Sequence, residues 1–265
     1  LREIPFPRPL LPLLENVGYS MNLFDLKGNV AIVTGGFRGI GKTLALGLRE
    51  FGAETIVADI LCEKKEELKD GILFLRCDIT RKDQIERTTV LVMDRYKKID
   101  ILVNNAAIIR SCPAIDMPQA DWEEVIRVNV TGTFLFSQVV GREMVKRGRG
   151  KIINIASNQS EAGVETFAAY GTSKGAVLAL TRTLAVEWAQ YGINVNAISP
   201  AATMSPMTEK KFMDQEILGQ YIEDIPMGRV LVPSDLVGAV VFLASDASDM
   251  VTGHNLHVDG GYLAK

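Results

Sequence analysis

One junction constrains this chain more than any other. The apolar run Val30-Ala-Ile-Val33 ends at Thr34-Gly-Gly-Phe-Arg-Gly-Ile-Gly41, and helical spacing of Leu44, Leu48 and Phe51 follows directly. A short unbroken apolar run bounded by turn residues reads as a strand buried on both faces. The glycines admit positive φ and let backbone amides approach a bound group closely. The helix N-terminus beyond them adds partial positive charge. Strand, glycine loop and helix together make a cradle for a pyrophosphate. The spacing is G-x-x-x-G-x-G, from Gly35 through Gly39 to Gly41, with Arg38 and Ile40 inside it. That differs from the G-x-G-x-x-G of the common dinucleotide fingerprint. A plain tight strand-to-helix turn is the competing reading.

The rest of the chain repeats the same alternation. Apolar strands are expected over 55–58, 73–77, 101–103, 151–155, 193–198 and 253–258. Helices are expected over 42–51, 83–96, 121–145 and from about Tyr170 to Gln190, with a last one N-capped by Ser234 and running to Ala244. Alternating strands and helices imply an α/β fold with a mostly parallel sheet covered on both faces. No repeat or linker divides residues 21–265, which read as one domain. Residues 1–20 stand apart: Pro5, Pro7, Pro9 and Pro12 forbid a regular helix there. This segment is expected to form an extended arm packed on the domain surface or on a neighbouring subunit.

Composition excludes several classes of function. The net charge is −3 and Lys and Arg are not clustered into a basic face, which argues against nucleic-acid binding. There is no run of 18 apolar, charge-free residues for a membrane span. Cys62, Cys77 and Cys112 are odd in number and widely spaced, so neither a disulfide framework nor a zinc site is expected. That usage fits a reducing, cytoplasmic setting. His254 and His257 have no partnered ligands nearby in sequence and read as structural, so no metal is expected.

Two further features carry chemistry. Asp59 closes the second expected strand, 18 residues beyond Gly41. A carboxylate there can accept hydrogen bonds from an adenosine ribose. It would also repel a 2′-phosphate, which favours NAD over NADP. Arg38 is the opposing signal, since a guanidinium in the loop could meet that phosphate. The second feature is Tyr170-Gly-Thr-Ser-Lys174. Residues four apart on a helix share a face. A cation there favours phenolate and would lower a phenol pKa that is ordinarily about 10. Such a pair is a proton donor and acceptor suited to alcohol–carbonyl chemistry. Tyr-x-x-x-Lys alone arises by chance in many chains.

With the glycine loop, Asn104-Asn-Ala-Ala107 after the fourth strand and Ser157 thirteen residues before Tyr170, the chain resembles the short-chain dehydrogenase/reductase family. The resemblance runs from about Leu26 to Gly261. It implies a single Rossmann-like, doubly wound domain with a mostly parallel seven-stranded sheet. It implies hydride transfer between a nicotinamide and a secondary alcohol or ketone, in a family that usually forms tetramers. Carried over by position, Tyr170 is the acid/base. Ser157 holds the substrate oxygen. Lys174 tunes the phenol and binds the nicotinamide ribose. Asn129 completes a proton relay through water to Lys174. Asp78 and Ile79 fall where the family meets the adenine, and Asn105, Ala106 and Ala107 at its Asn-Asn-Ala-Gly strand end. Pro200, Thr203 and Ser205 fall where it holds the carboxamide. Ala107 and Ala201 stand where the family usually has glycine.

The substrate wall reads as polar. Ser157-Asn-Gln-Ser-Glu-Ala-Gly-Val-Glu-Thr166 carries little apolar bulk, and Asn158 and Gln159 are candidate substrate contacts. Arg110 could pair with a carboxylate or a sugar hydroxyl, or be a surface residue. These runs resemble those of gluconate 5-dehydrogenases and other sugar-acid dehydrogenases, although Val164 replaces a residue that is often basic there. A neutral sugar or polyol is the near alternative. An NADP-dependent 3-oxoacyl-thioester reductase is the second, and a non-catalytic scaffold the remote third. Residues 204–226 are expected to form a helical lid, with Met204, Met207 and Met213 along its inner wall.

Overall fold

The computed structural model describes residues 22–265; the expected proline-rich arm, 1–20, lies outside the described residues. The strands are β1 (Val30–Thr34), β2 (Glu54–Asp59), β3 (Glu66–Lys69), β4 (Ile72–Arg76), β5 (Ile101–Asn104), β6 (Gly150–Ile155), β7 (Ile193–Pro200) and β8 (Asn255–Val258). They form one sheet in the order β3-β4-β2-β1-β5-β6-β7-β8. All pairings are parallel except β3 with β4. The seven expected strands are present, and β3 is an eighth. It is a polar, largely exposed edge strand, so it carries no apolar signature. Its sequence signal is Asp70-Gly71, both at positive φ (50° and 72°), which closes a two-residue hairpin into β4.

Alternate strand residues face opposite layers. Ala31 and Val33 pack toward α1 (Gly39–Glu50) and α8 (Val237–Ala244), against Leu44, Leu48, Val240 and Leu243. Val30 and Ile32 pack toward α2 (Lys82–Tyr96) and α4 (Thr133–Arg147), against Ile85, Val92, Phe136 and Met144. The single helix expected over 121–145 is three pieces: α3 (Gln119–Ile126), a π-helical segment Arg127–Gly132, and α4. Ser234 does not cap α8. A 3-10 turn, Pro233–Leu236, leads into that helix, and the Asp235 carboxylate accepts from the Val232 N–H at 2.9 Å.

Chain order reverses between β1, which runs outward to β2 and β4, and β5, which runs outward to β6 and β7. Ligands of open α/β sheets bind outside the carboxyl ends of the strands at such a switch point. The ends of β1, β2, β4, β5, β6 and β7 here all border one cavity of about 1020 Å³. Among the described residues no helix is long and apolar enough to cross a membrane.

Candidate active site

The glycine loop is held shut by its neighbours. The Thr34 hydroxyl, at the end of β1, accepts from the N–H groups of Asn105 and Ala106 at 3.0 and 3.1 Å. The Asn105 side-chain amide donates to the carbonyls of Thr34 and Gly35, both at 3.0 Å. A Cβ on Gly41 would lie 2.3 Å from the Gly35 oxygen and 2.4 Å from Asn105 Nδ2. Gly35 and Gly39 both take positive φ, 66° and 59°. The loop therefore needs glycine for packing and for backbone shape, and α1 begins at Gly39 with its N-terminal amides at the cavity. This cradle fits a dinucleotide pyrophosphate.

Asp59 is 6% exposed at the end of β2, and its carboxylate accepts from the N–H groups of Phe37 and Leu61 at 3.0 and 2.9 Å. It lines the cavity with lone pairs left for a ribose diol. Arg38 also lines it, exposed and without an ion pair among the described residues. Asp78 is tied to the N–H and hydroxyl of Thr80, at 2.9 and 2.8 Å. Ile79 packs against the π-helical segment, where a Cβ on Gly132 would fall 2.7 Å from its Cδ1. Ile40, Ala106, Ala107, Pro200, Thr203 and Ser205 line the same cavity. Neither Ala107 nor Ala201 has positive φ, so each methyl is accommodated, and Ala201 joins the buried core. Thr208, which sequence reasoning missed, organises this wall: its hydroxyl donates to the Thr203 carbonyl at 2.6 Å and accepts from the Ser205 N–H at 3.0 Å.

Ser157, Tyr170 and Lys174 converge. Ser157 follows β6 in extended backbone and heads a short turn, Asn158–Ser160. Tyr170 and Lys174 sit in the first two turns of α5 (Ala168–Trp188). The Lys174 ammonium lies 5.6 Å from the Tyr170 ring centroid and donates to the Ile155 carbonyl at 2.7 Å. Burial pushes the Tyr170 phenol up to about 12, against a lowering pull from the Ser157 hydroxyl. Burial also pushes the Lys174 ammonium, 3% exposed, down to about 8. Tyr170 as a whole is only half-buried, but its hydroxyl end lies deep, and the hydroxyl governs the titration. Burial thus outweighs the expected lowering of the phenol by Lys174, and the phenol holds its proton at neutral pH.

The remaining expected residues are held by their own partners. Asn129, 1% exposed, sits in the π-helical segment. Its side chain exchanges hydrogen bonds with the backbone of Ile108, 2.8 and 2.9 Å, and donates to Ser173 Oγ at 3.0 Å. It braces the loop after β5 against α5. Arg110 does not line the cavity. Its guanidinium pairs with Glu124 at 2.7 Å and lies 3.8 Å from Asp121, both on α3, which pull it away. Asn158 and Gln159 do line the cavity, and Gln159 Oε1 is buried without a hydrogen-bond partner. The 204–226 wall holds two short helices, α6 (Glu209–Phe212) and α7 (Gln215–Glu223). Of its methionines only Met207 lines the cavity, beside Phe212, Ile217 and Tyr221. Thr166, a β-branched residue at φ 69°, lines the opposite wall in a backbone region such residues avoid.

Cradle, acidic strand end and buried Ser–Tyr–Lys group make a site for nicotinamide-linked alcohol–carbonyl chemistry. The family model described as Enoyl-(Acyl carrier protein) reductase matches residues 35–263. The chain belongs to the short-chain dehydrogenase/reductase family. It is 42% identical to the 5-keto-D-gluconate 5-reductase of Escherichia coli (strain K12), covering 91% of this chain and 98% of that one. It is 39% identical to the NAD-dependent glycerol dehydrogenase of Listeria innocua, covering 91% and 96%. A crystal structure of a gluconate 5-dehydrogenase from Burkholderia cenocepacia, in complex with NADP and tartrate, superimposes with a TM-score of 0.88. It is 38% identical, over 93% of this chain and 100% of that one.

Proposed function

We propose that this short-chain dehydrogenase/reductase interconverts a secondary hydroxyl and a ketone on a sugar acid, sugar or polyol, using NAD(H). The observation that carries the reading is the buried Ser157–Tyr170–Lys174 group facing a wall with the polar residues Asn158, Gln159, Glu165 and Thr166. A chain of substrate hydroxyls would pair with these polar groups, whereas an acyl chain would leave them without partners. The glycine loop would hold the pyrophosphate, Asp59 the adenosine ribose, and Lys174 the nicotinamide ribose. Bound there, the nicotinamide would supply the hydride donor or acceptor. In reduction, Tyr170, protonated at neutral pH, gives its proton to the oxygen of the forming alcohol while Ser157 holds that oxygen. In oxidation, Tyr170 would first release its proton to solvent, and the phenolate would then take the proton of the substrate hydroxyl. Positioning supplies much of the rate, up to roughly 7–11 kcal/mol, and proton transfer about 10²–10⁴-fold.

Asp59 supports NAD over NADP through its charge, with Arg38 the residue that opposes it. The same reading places the enzyme in the cytoplasm as a homotetramer, α4 and α5 packing between subunits. The test is reduction of NAD by a panel of aldonates and polyols, set against NADPH oxidation with an acetoacetyl thioester. NADH formation with the panel supports the proposal; thioester turnover alone overturns it.

A further inference from the structure

Four cations line the cavity: Arg38 of the glycine loop, Lys174 of the proton-transfer group, Arg127 of the π-helical segment, and Lys211, whose surroundings single it out. Lys211, on α6, lines the cavity beside Phe167, which directly precedes α5 and so lies one turn from Tyr170. Its ammonium lies 4.9 Å from the Phe167 ring centroid and 5.0 Å from that of Tyr221. The ring of Phe167 and the hydroxyl edge of Tyr221 hold the cation in place. One of its three N–H donors goes to the Tyr221 hydroxyl at 2.8 Å. The other two have no protein acceptor, and Lys211 makes no ion pair, among the described residues. The acids of the lining are engaged elsewhere or stand apart: Asp224 pairs with Lys265 at 3.3 Å, Glu124 with Arg110, and Glu165 is exposed. Asp59 and Asp78 belong to the glycine-loop end.

We infer that Lys211 is the carboxylate-binding residue of this site, fixing the anionic end of a sugar acid whose carbon chain reaches back to Tyr170. The inference rests on the reading of the site as a polyhydroxyl oxidoreductase and narrows it to acids. The division of labour follows from donor chemistry. Substrate hydroxyls both donate and accept, and pair with the polar residues of the wall, Asn158, Gln159 and Thr166. A carboxylate has only acceptors and needs the free N–H donors of Lys211. The role expected of Arg110 thus passes to a residue 101 positions later, on a different wall (211 − 110).

The test compares wild type, Lys211→Gln and Lys211→Arg with D-gluconate and with sorbitol, by NAD-linked turnover and by calorimetric titration of each compound into the NADH-saturated enzyme. Lys211→Gln is expected to weaken gluconate binding roughly 10- to 100-fold and to lower the gluconate-over-sorbitol ratio of kcat/KM by the same factor. Lys211→Arg is expected to recover most of both. Gluconate affinity unchanged in Lys211→Gln, or no gluconate binding by wild type, overturns the inference. Lys211-dependent gluconate binding without any turnover would uphold the carboxylate site and overturn the proposed reaction. Turnover of gluconate that ignores Lys211 would do the reverse.

Discussion

Replacing Asp59 by Asn removes one charge and almost no volume, so it isolates the electrostatic basis of the cofactor choice. In the native chain the carboxylate is 6% exposed and accepts two backbone N–H groups. A ribose diol bonded to it would gain charge-assisted hydrogen bonds worth about 1.5–3 kcal/mol. A 2′-phosphate near the same place brings a charge of about −1.5 to −2. At roughly 4 Å and an effective dielectric of about 20, each pair of unit charges costs about 4 kcal/mol. The donating N–H groups and nearby solvent reduce this, and a net 3–4 kcal/mol shift between the two cofactors is about 10²–10³-fold. Asp59→Asn is therefore expected to move the NADP-over-NAD ratio of kcat/KM toward NADP by about 100-fold or more. Asn keeps one acceptor for the two amides, so Tm should fall by only about 2–4 °C, as for a loss of about 1 kcal/mol. A ratio unchanged within about threefold would refute the charge argument and leave the choice to Arg38.

Two further outcomes follow from the geometry. Gly41→Ala puts a methyl against the Gly35 carbonyl and the Asn105 amide that closes the loop, so stability should drop by about 2–4 kcal/mol, or roughly 5–15 °C in Tm, with cofactor affinity lost in parallel; a variant as stable and as tightly binding as wild type would contradict the packing account. For Lys174, burial holds the folded pKa at about 8, below the roughly 10.4 of an unfolded lysine. Between those values the unfolded chain holds more protons, so native stability rises with pH, and the cost of the buried ammonium is fully present below 8. Lys174→Met should accordingly stabilise the cofactor-free protein most below pH 8, with the gain shrinking toward pH 10.5; a gain independent of pH, read by denaturant titration, would contradict burial as the cause.

The parts legible in the sequence are those where local pattern and chemistry coincide. Val30–Val33, the glycines and Leu44–Leu48 announce strand, turn and helix through their own periodicity, and the structure places them so. The edge strand Glu66–Lys69 was not legible from hydrophobicity, because an exposed edge buries nothing, and only Asp70-Gly71 marks it. Arg110 and Lys211 show the limit for charged residues. Which of them reaches the cavity is decided by partners, Glu124 and Asp121 for one, Phe167 and Tyr221 for the other. For Lys211 those partners lie 44 residues before it and 10 after (211 − 167, 221 − 211), on separate elements. Asn129 follows the same logic: its helix position is plain, but the π-helical turn aims its amide at Ile108.

The most direct test of the account is Tyr170→Phe, assayed for NADH formation with the best substrate of the panel and for NADH binding by fluorescence titration. The phenyl ring keeps the packing of α5 and removes only the proton donor. The account predicts turnover lost by at least about 10²-fold with NADH affinity within a few-fold of wild type. Turnover retained at near wild-type rate would contradict the assignment of Tyr170 as the acid and base of the reaction.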